Sequence, residues 1–108
     1  MRAGAVIKRI LLNNVQYNPN RDPQFYRRTV GEEFRLQVFL DGSGRAQARL
    51  EAEGTALCEA EVALPGTFDC RFRFDRPGTR VGTVTVVRDG ETIRQDIRLD
   101  VEAHAWVG

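Results

Sequence analysis

The chain has 108 residues, 42% of them hydrophobic and 29% charged, which suits one domain with a sizeable core and is too little for two. Sixteen basic residues against 15 acidic ones leave a formal net charge of +1, so no overall field draws the protein toward nucleic acid or an anionic membrane. Lys8 is the sole lysine; the other basic residues are arginines, which fork onto carboxylates, stack on rings and suit packed contact surfaces.

The run AVIKRILL, residues 5–12, reads as a first strand. Lys8-Arg9 interrupts it, and Ile10-Leu11-Leu12 is too short for a signal core or a membrane span, so neither a signal peptide nor membrane insertion is expected. The next stretch, NNVQYNPNRDPQFYRRTVG over residues 13–31, has two prolines, three aromatic rings and three arginines, with neither helical nor strand periodicity. Loops longer than ~12–15 residues in a compact domain tend to be functional or disordered, and rings argue against disorder. Two readings follow. The rings fold back over a sheet edge or an open end of the domain, or Tyr17, Arg21, Phe25, Tyr26, Arg27 and Arg28 form a surface for a partner, since interface centres favour aromatics and arginine.

From residue 34, Phe34, Leu36, Val38 and Leu40 alternate with Arg35, Gln37 and Phe39, and beyond Asp41-Gly42-Ser43-Gly44 the residues Ala46, Ala48, Leu50 and Ala52 continue one face. A three-residue loop, Gly42-Ser43-Gly44, predicts a hairpin that pairs Val38 with Ala48 and Leu36 with Leu50. Alanine and glutamate also suit a helix over residues 45–64, but Gly54-Thr55 interrupts it and the alternation is cleaner. A further pair of strands over residues 56–74 is expected to turn at Pro65-Gly66-Thr67, with Cys58, Ala60, Val62, Leu64, Phe68, Cys70, Phe72 and Phe74 on one face. If that turn is tight, Val62 faces Cys70 and Cys58 lies ~13 Å away along the strand. That is beyond disulfide reach, so two buried free thiols are expected; a wider loop would bring the cysteines together and leaves a disulfide open as the alternative.

The last hairpin carries the strongest local signal. In VGTVTVVRDGETIRQDIRLDV, residues 81–101, Asp89-Gly90 predicts a type I′ turn that sets Arg88 opposite Glu91, Val86 opposite Ile93, Val84 opposite Gln95 and Gly82 opposite Ile97. One face then carries Val84, Val86, Ile93, Ile97, Leu99 and Val101, and turn and pattern agree on the register. Residues 102–108 form a C-terminal tail with His104 and Trp106; a tryptophan there is expected to pack on its own domain or on a neighbour.

The total is about seven short strands in a single all-β domain over residues 1–108, the pattern of an antiparallel two-sheet sandwich. FRFDRPGTRVGTVTVV, residues 72–87, resembles the corner between the fifth and sixth strands of immunoglobulin-like domains of microbial and phage type, in which an Asp precedes a Pro-Gly-Thr turn and a valine-threonine strand. The likeness is specific over the last third of the chain and rests elsewhere on strand count. Arg80 stands where such domains carry a tyrosine, no tryptophan lies in the third strand and the cysteines do not hold the inter-sheet positions, which disfavours an antibody-like or receptor-like domain. The resemblance implies a module that holds, spaces or attaches other components.

Chemistry finds little purchase. His104 is the only histidine, remote from both cysteines, so neither a nucleophile-base pair nor a zinc site is expected. DGSG at 41–44 has one carboxylate and reads as a turn rather than a calcium loop. No phosphate-cradling glycine motif occurs. The expectation is therefore a non-enzymatic structural or assembly module without catalytic residues, cofactor or metal, contacting a protein partner or further copies of itself through Tyr17, Arg21, Phe25, Tyr26, Arg27, Arg28, His104 and Trp106, as in surface or virion assemblies. Carbohydrate binding on Tyr17, Tyr26 or Trp106 is the alternative. Nucleic acid is the weaker reading, because Asp69, Glu59 and Glu61 flank Arg71 and Arg73 and cross-strand pairing explains that cluster.

Overall fold

The computed structural model describes residues 7–103. Those residues are all-β, apart from a single 3-10 turn. The strands are β1 (Ile7–Leu12), β2 (Val15–Gln16), β3 (Arg28–Thr29), β4 (Phe34–Ala52), β5 (Thr55–Phe72), β6 (Gly78–Arg88) and β7 (Glu91–Glu102), and the 3-10 turn spans Pro23–Phe25. Hydrogen bonding runs through one seven-stranded sheet in the order β2-β1-β4-β6-β7-β3, with β5 attached to β4.

The sheet curls because of one hairpin. β4 and β5 pair antiparallel along nearly their whole length, from Phe34 opposite Phe72 to Ala52 opposite Thr55. The chain reverses at Glu53-Gly54, both with positive φ (53° and 76°), as a two-residue hairpin loop requires. The turns expected at Gly42-Ser43-Gly44 and at Pro65-Gly66-Thr67 are instead the two sides of a bend within this hairpin. There residues 41–43 of β4 stand opposite the single residue Pro65 of β5, and extra residues on one strand bend a ladder sharply. Pro65 has no N–H to lose from the ladder. At Gly66 a Cβ would run into the carbonyl oxygen of Ala63 and crowd Val62, so the bend needs glycine there.

The bend creates two arms. One holds β2, β1, residues 34–40 of β4 and residues 66–72 of β5; the other holds residues 55–64 of β5, residues 44–52 of β4, β6, β7 and β3. Phe34, Leu36, Val38 and Leu40 of the first arm share one buried cluster with Ala46, Ala48, Leu50, Val84, Val86, Ile97 and Leu99 of the second. Each large apolar side chain enclosed in this way stabilises the fold by about 1.5–3 kcal/mol relative to exposure.

The pairings expected for Val38 with Ala48 and Leu36 with Leu50 are replaced: Val38 lies opposite Phe68, Leu36 opposite Cys70, Ala48 opposite Ala60 and Leu50 opposite Cys58. The free-thiol expectation falls with them. Because β5 folds over on itself, Cys58 and Cys70 come to 5.9 Å between α-carbons and form a disulfide. In β6 and β7 every expected pair is present, Arg88 with Glu91, Val86 with Ile93, Val84 with Gln95 and Gly82 with Ile97, around an Asp89-Gly90 turn with both φ positive.

Candidate functional site

Residues 13–31 leave the outer strand of the first arm and end beside the outer strand of the second, so the loop crosses the open side of the curled sheet. Asn13-Asn14, both at positive φ, turn β1 into the short β2, with Leu12 opposite Val15. The Asn13 side chain is buried: its Nδ2 donates to the Tyr26 carbonyl (2.8 Å) and its Oδ1 accepts from the Arg35 amide (2.9 Å). At the far end β3 pairs in parallel with β7, Arg28 opposite Val101. The Val30 amide then donates to the Glu102 carbonyl and the Gly31 amide to the Phe74 carbonyl, both at 2.9 Å.

Two of the rings hold this cover in place. Tyr26 is 4% exposed; its hydroxyl donates to the Gln16 carbonyl (2.7 Å) and accepts from the Asn18 amide (2.9 Å). Tyr17 packs against it with ring centroids 5.2 Å apart and planes 41° apart. The Tyr17 hydroxyl accepts from the Arg98 amide (3.0 Å), occupying a donor on the outer edge of β7. Tyr17 and Tyr26 therefore form no coplanar platform of the kind a sugar ring stacks on.

Phe25 is different. It closes the 3-10 turn at 55% exposure, beside the Arg21 guanidinium at 5.7 Å from its ring. Its amide donates to the Asp22 carbonyl (3.1 Å), and the Asp22 carboxylate accepts from the Gln24 amide (3.1 Å), which fixes the tip. Below it Tyr17, Asn18, Asn20, Arg21, Asp22 and Arg98 line a cleft of about 280 Å³.

Arg27 and Arg28 are spent locally, Arg27 on Glu102 (3.3 Å) and Arg28 on the Glu33 carbonyl (3.2 Å). Glu32 closes the loop by accepting from the Thr29 amide (2.7 Å); that bond, followed by the Thr29 hydroxyl, holds its carboxyl below the ordinary value. The structure thus brings Tyr17, Arg21, Phe25 and Tyr26 together, with only Arg21 and Phe25 facing outward, and sets Arg27 and Arg28 apart at the β7 edge. His104 and Trp106 lie outside the described residues. Asn13 and Arg98 were not singled out from the sequence. Asn-Asn after an apolar strand is a turn signal that could have marked Asn13; nothing local marks Arg98.

The basic cluster at the end of β5 is paired, though not as expected. Arg71 and Arg73 both approach Glu33 (3.5 and 3.9 Å), while Asp69 pairs with Arg35, Glu59 with Arg49 and Glu61 with Arg45. The Arg35 hydrogen bonds hold the Asp69 carboxyl below its ordinary value and push the Arg35 guanidinium up. Among the described residues no group of three or more His, Cys, Asp or Glu side chains gathers closely enough for a metal ion, and no helix is long and apolar enough to cross a membrane. No protein-family model matches the chain, and no curated protein matches it.

Proposed function

We propose that the chain is a non-catalytic, immunoglobulin-like β-sandwich module of the microbial and phage kind, which makes protein-protein contacts in a larger assembly through the tip of the 13–31 loop and the C-terminal tail. The observation that carries the contact role is Phe25, a large ring left 55% exposed on a fixed tip beside an arginine, since aromatic rings and arginine are both enriched at interface centres.

The immunoglobulin-like reading draws support from Arg80. In such corners a tyrosine hydroxyl bonds back to the backbone a few residues upstream. Here the guanidinium of Arg80 donates to the carbonyls of Arg76 (3.1 Å) and Pro77 (3.4 Å) and lies 4.2 Å from the Phe74 ring centroid. A different side chain makes the same return bond. The Cys58–Cys70 disulfide suits surface or virion settings, where disulfides persist.

The test is solution mass by light scattering from micromolar to millimolar chain, for the wild type, Phe25→Ser and a chain ending at residue 103. Discrete oligomers that revert to monomer in either variant are expected for self-assembly through this surface. A monomer throughout overturns the self-assembly form of the proposal. Glycan binding lost on Tyr17→Ala would replace it with the carbohydrate reading.

A further inference from the structure

A second surface, separate from the loop, is the outer edge of β5. Eighteen residues long, β5 pairs among the described residues with β4 alone, and an unpaired strand edge is a template for another strand. Its backbone polarity can be read from the first arm. The Asn13 amide donates to the Arg35 carbonyl, so the backbone of Arg35 faces β1. Alternation turns that of Leu36 toward β5 and its partner Cys70. The N–H and C=O groups of Thr67, Asp69 and Arg71 then point away from the sheet.

We propose that this edge, over residues 67–73, pairs antiparallel with the same segment of a second copy about a two-fold axis at Cys70. In that register Asp69 of each copy lies opposite Arg71 of the other, and the outward backbone groups of both residues fall in hydrogen-bonded pairs. Opposite charges facing across an antiparallel pair stabilise it and like charges oppose it, and by symmetry the favourable pair occurs twice. Both side chains are accessible, Asp69 at 40% and Arg71 at 57% exposure. A carboxylate already holding Arg35 still has lone pairs for a second donor. Cys70 points into the core toward Cys58 and leaves the edge clear.

Two other edges are less suited. In residues 55–64 of β5 a two-fold at Ala60 sets Glu59 against Glu61. On β7 a two-fold at Gln95 also sets opposite charges face to face, Arg94 with Asp96, but it needs the Arg98 amide, which Tyr17 already occupies, while β3 covers Val101 and Glu102.

The experiment is a charge swap followed by sedimentation equilibrium, with circular dichroism to verify folding. Asp69→Arg and Arg71→Asp should each weaken the dimer about tenfold or more, since both symmetric pairs change from opposite to like charges. The double variant Asp69→Arg/Arg71→Asp, which loses both intrachain ion pairs, should restore dimerisation to near the wild-type level. A wild type that stays monomeric, single variants that dimerise as before, or a double variant that is not rescued each overturns the proposal. Dimers that survive Asp69→Arg but vanish in Phe25→Ser assign the contact to the loop and reject the edge; the reverse pattern does the opposite.

Discussion

The curled sheet has two open sides, and the chain closes them by different means. On the β5 side a single covalent bond joins Cys58 to Cys70. On the other a segment of nearly twenty residues is laid across, held by Tyr26, Tyr17, Asn13 and the short β3. The covalent closure acts largely by restricting the unfolded chain, whereas the loop contributes through native hydrogen bonds and burial and must offset its own ordering entropy. The loop closure costs more to order, and its outer side can be changed by substitution without opening the fold: Phe25 and Arg21 sit on top of the cover, Tyr26 and Asn13 underneath.

The largest effect expected from breaking this contrast is loss of the disulfide. Cys58→Ala/Cys70→Ala should cost about 3 kcal/mol for a bridge of sequence separation 12, read by urea denaturation against the oxidised wild type. Gly66→Ala attacks the same closure through the bend, because its new methyl meets the Ala63 carbonyl and Val62. Overpacking of that kind costs about 1–3 kcal/mol, and a thiol assay should detect a fraction of unpaired cysteine that the wild type lacks.

On the loop side, Tyr26→Phe removes a hydroxyl that both donates and accepts, at about 1–2 kcal/mol. With the cysteine pair also replaced, the two costs should add within about 0.5 kcal/mol, since the closures share no residue; a larger coupling would show that the sides communicate. The smallest effect concerns acid. Asp69 has its carboxyl lowered by Arg35, so the stability it gives is present above the ordinary carboxylate value and fades as pH falls through the lowered folded value. Asp69→Asn should lower the melting temperature slightly at neutral pH and leave it unchanged in strong acid, the effect being modest because the pair is more than a third exposed.

How far the sequence could be read differs from element to element for physical reasons. The β6–β7 hairpin was legible to the residue because Asp89-Gly90 is a strong local turn and both strands alternate in phase with it. The β4–β5 hairpin was not. Its faces were read correctly, yet Gly42-Ser43-Gly44 and Pro65-Gly66 look more like turns than Glu53-Gly54 does, and only partners far along the chain decide which signal reverses the strand and which merely bends it. The disulfide followed from that decision and could not be settled before it. In the loop, adjacent rings take opposite places, Tyr26 buried and Phe25 exposed; which ring takes which place depends on the Gln16 and Asn18 backbone, a relation no spacing rule encodes.

One strand, β4, runs unbroken through both arms. Sheets that touch only through side chains can slide or part by giving up packing alone. Here both arms share β4 and its partner β5 as continuous strands, so they cannot slide past one another, and a pull applied through β4 is transmitted to both halves together.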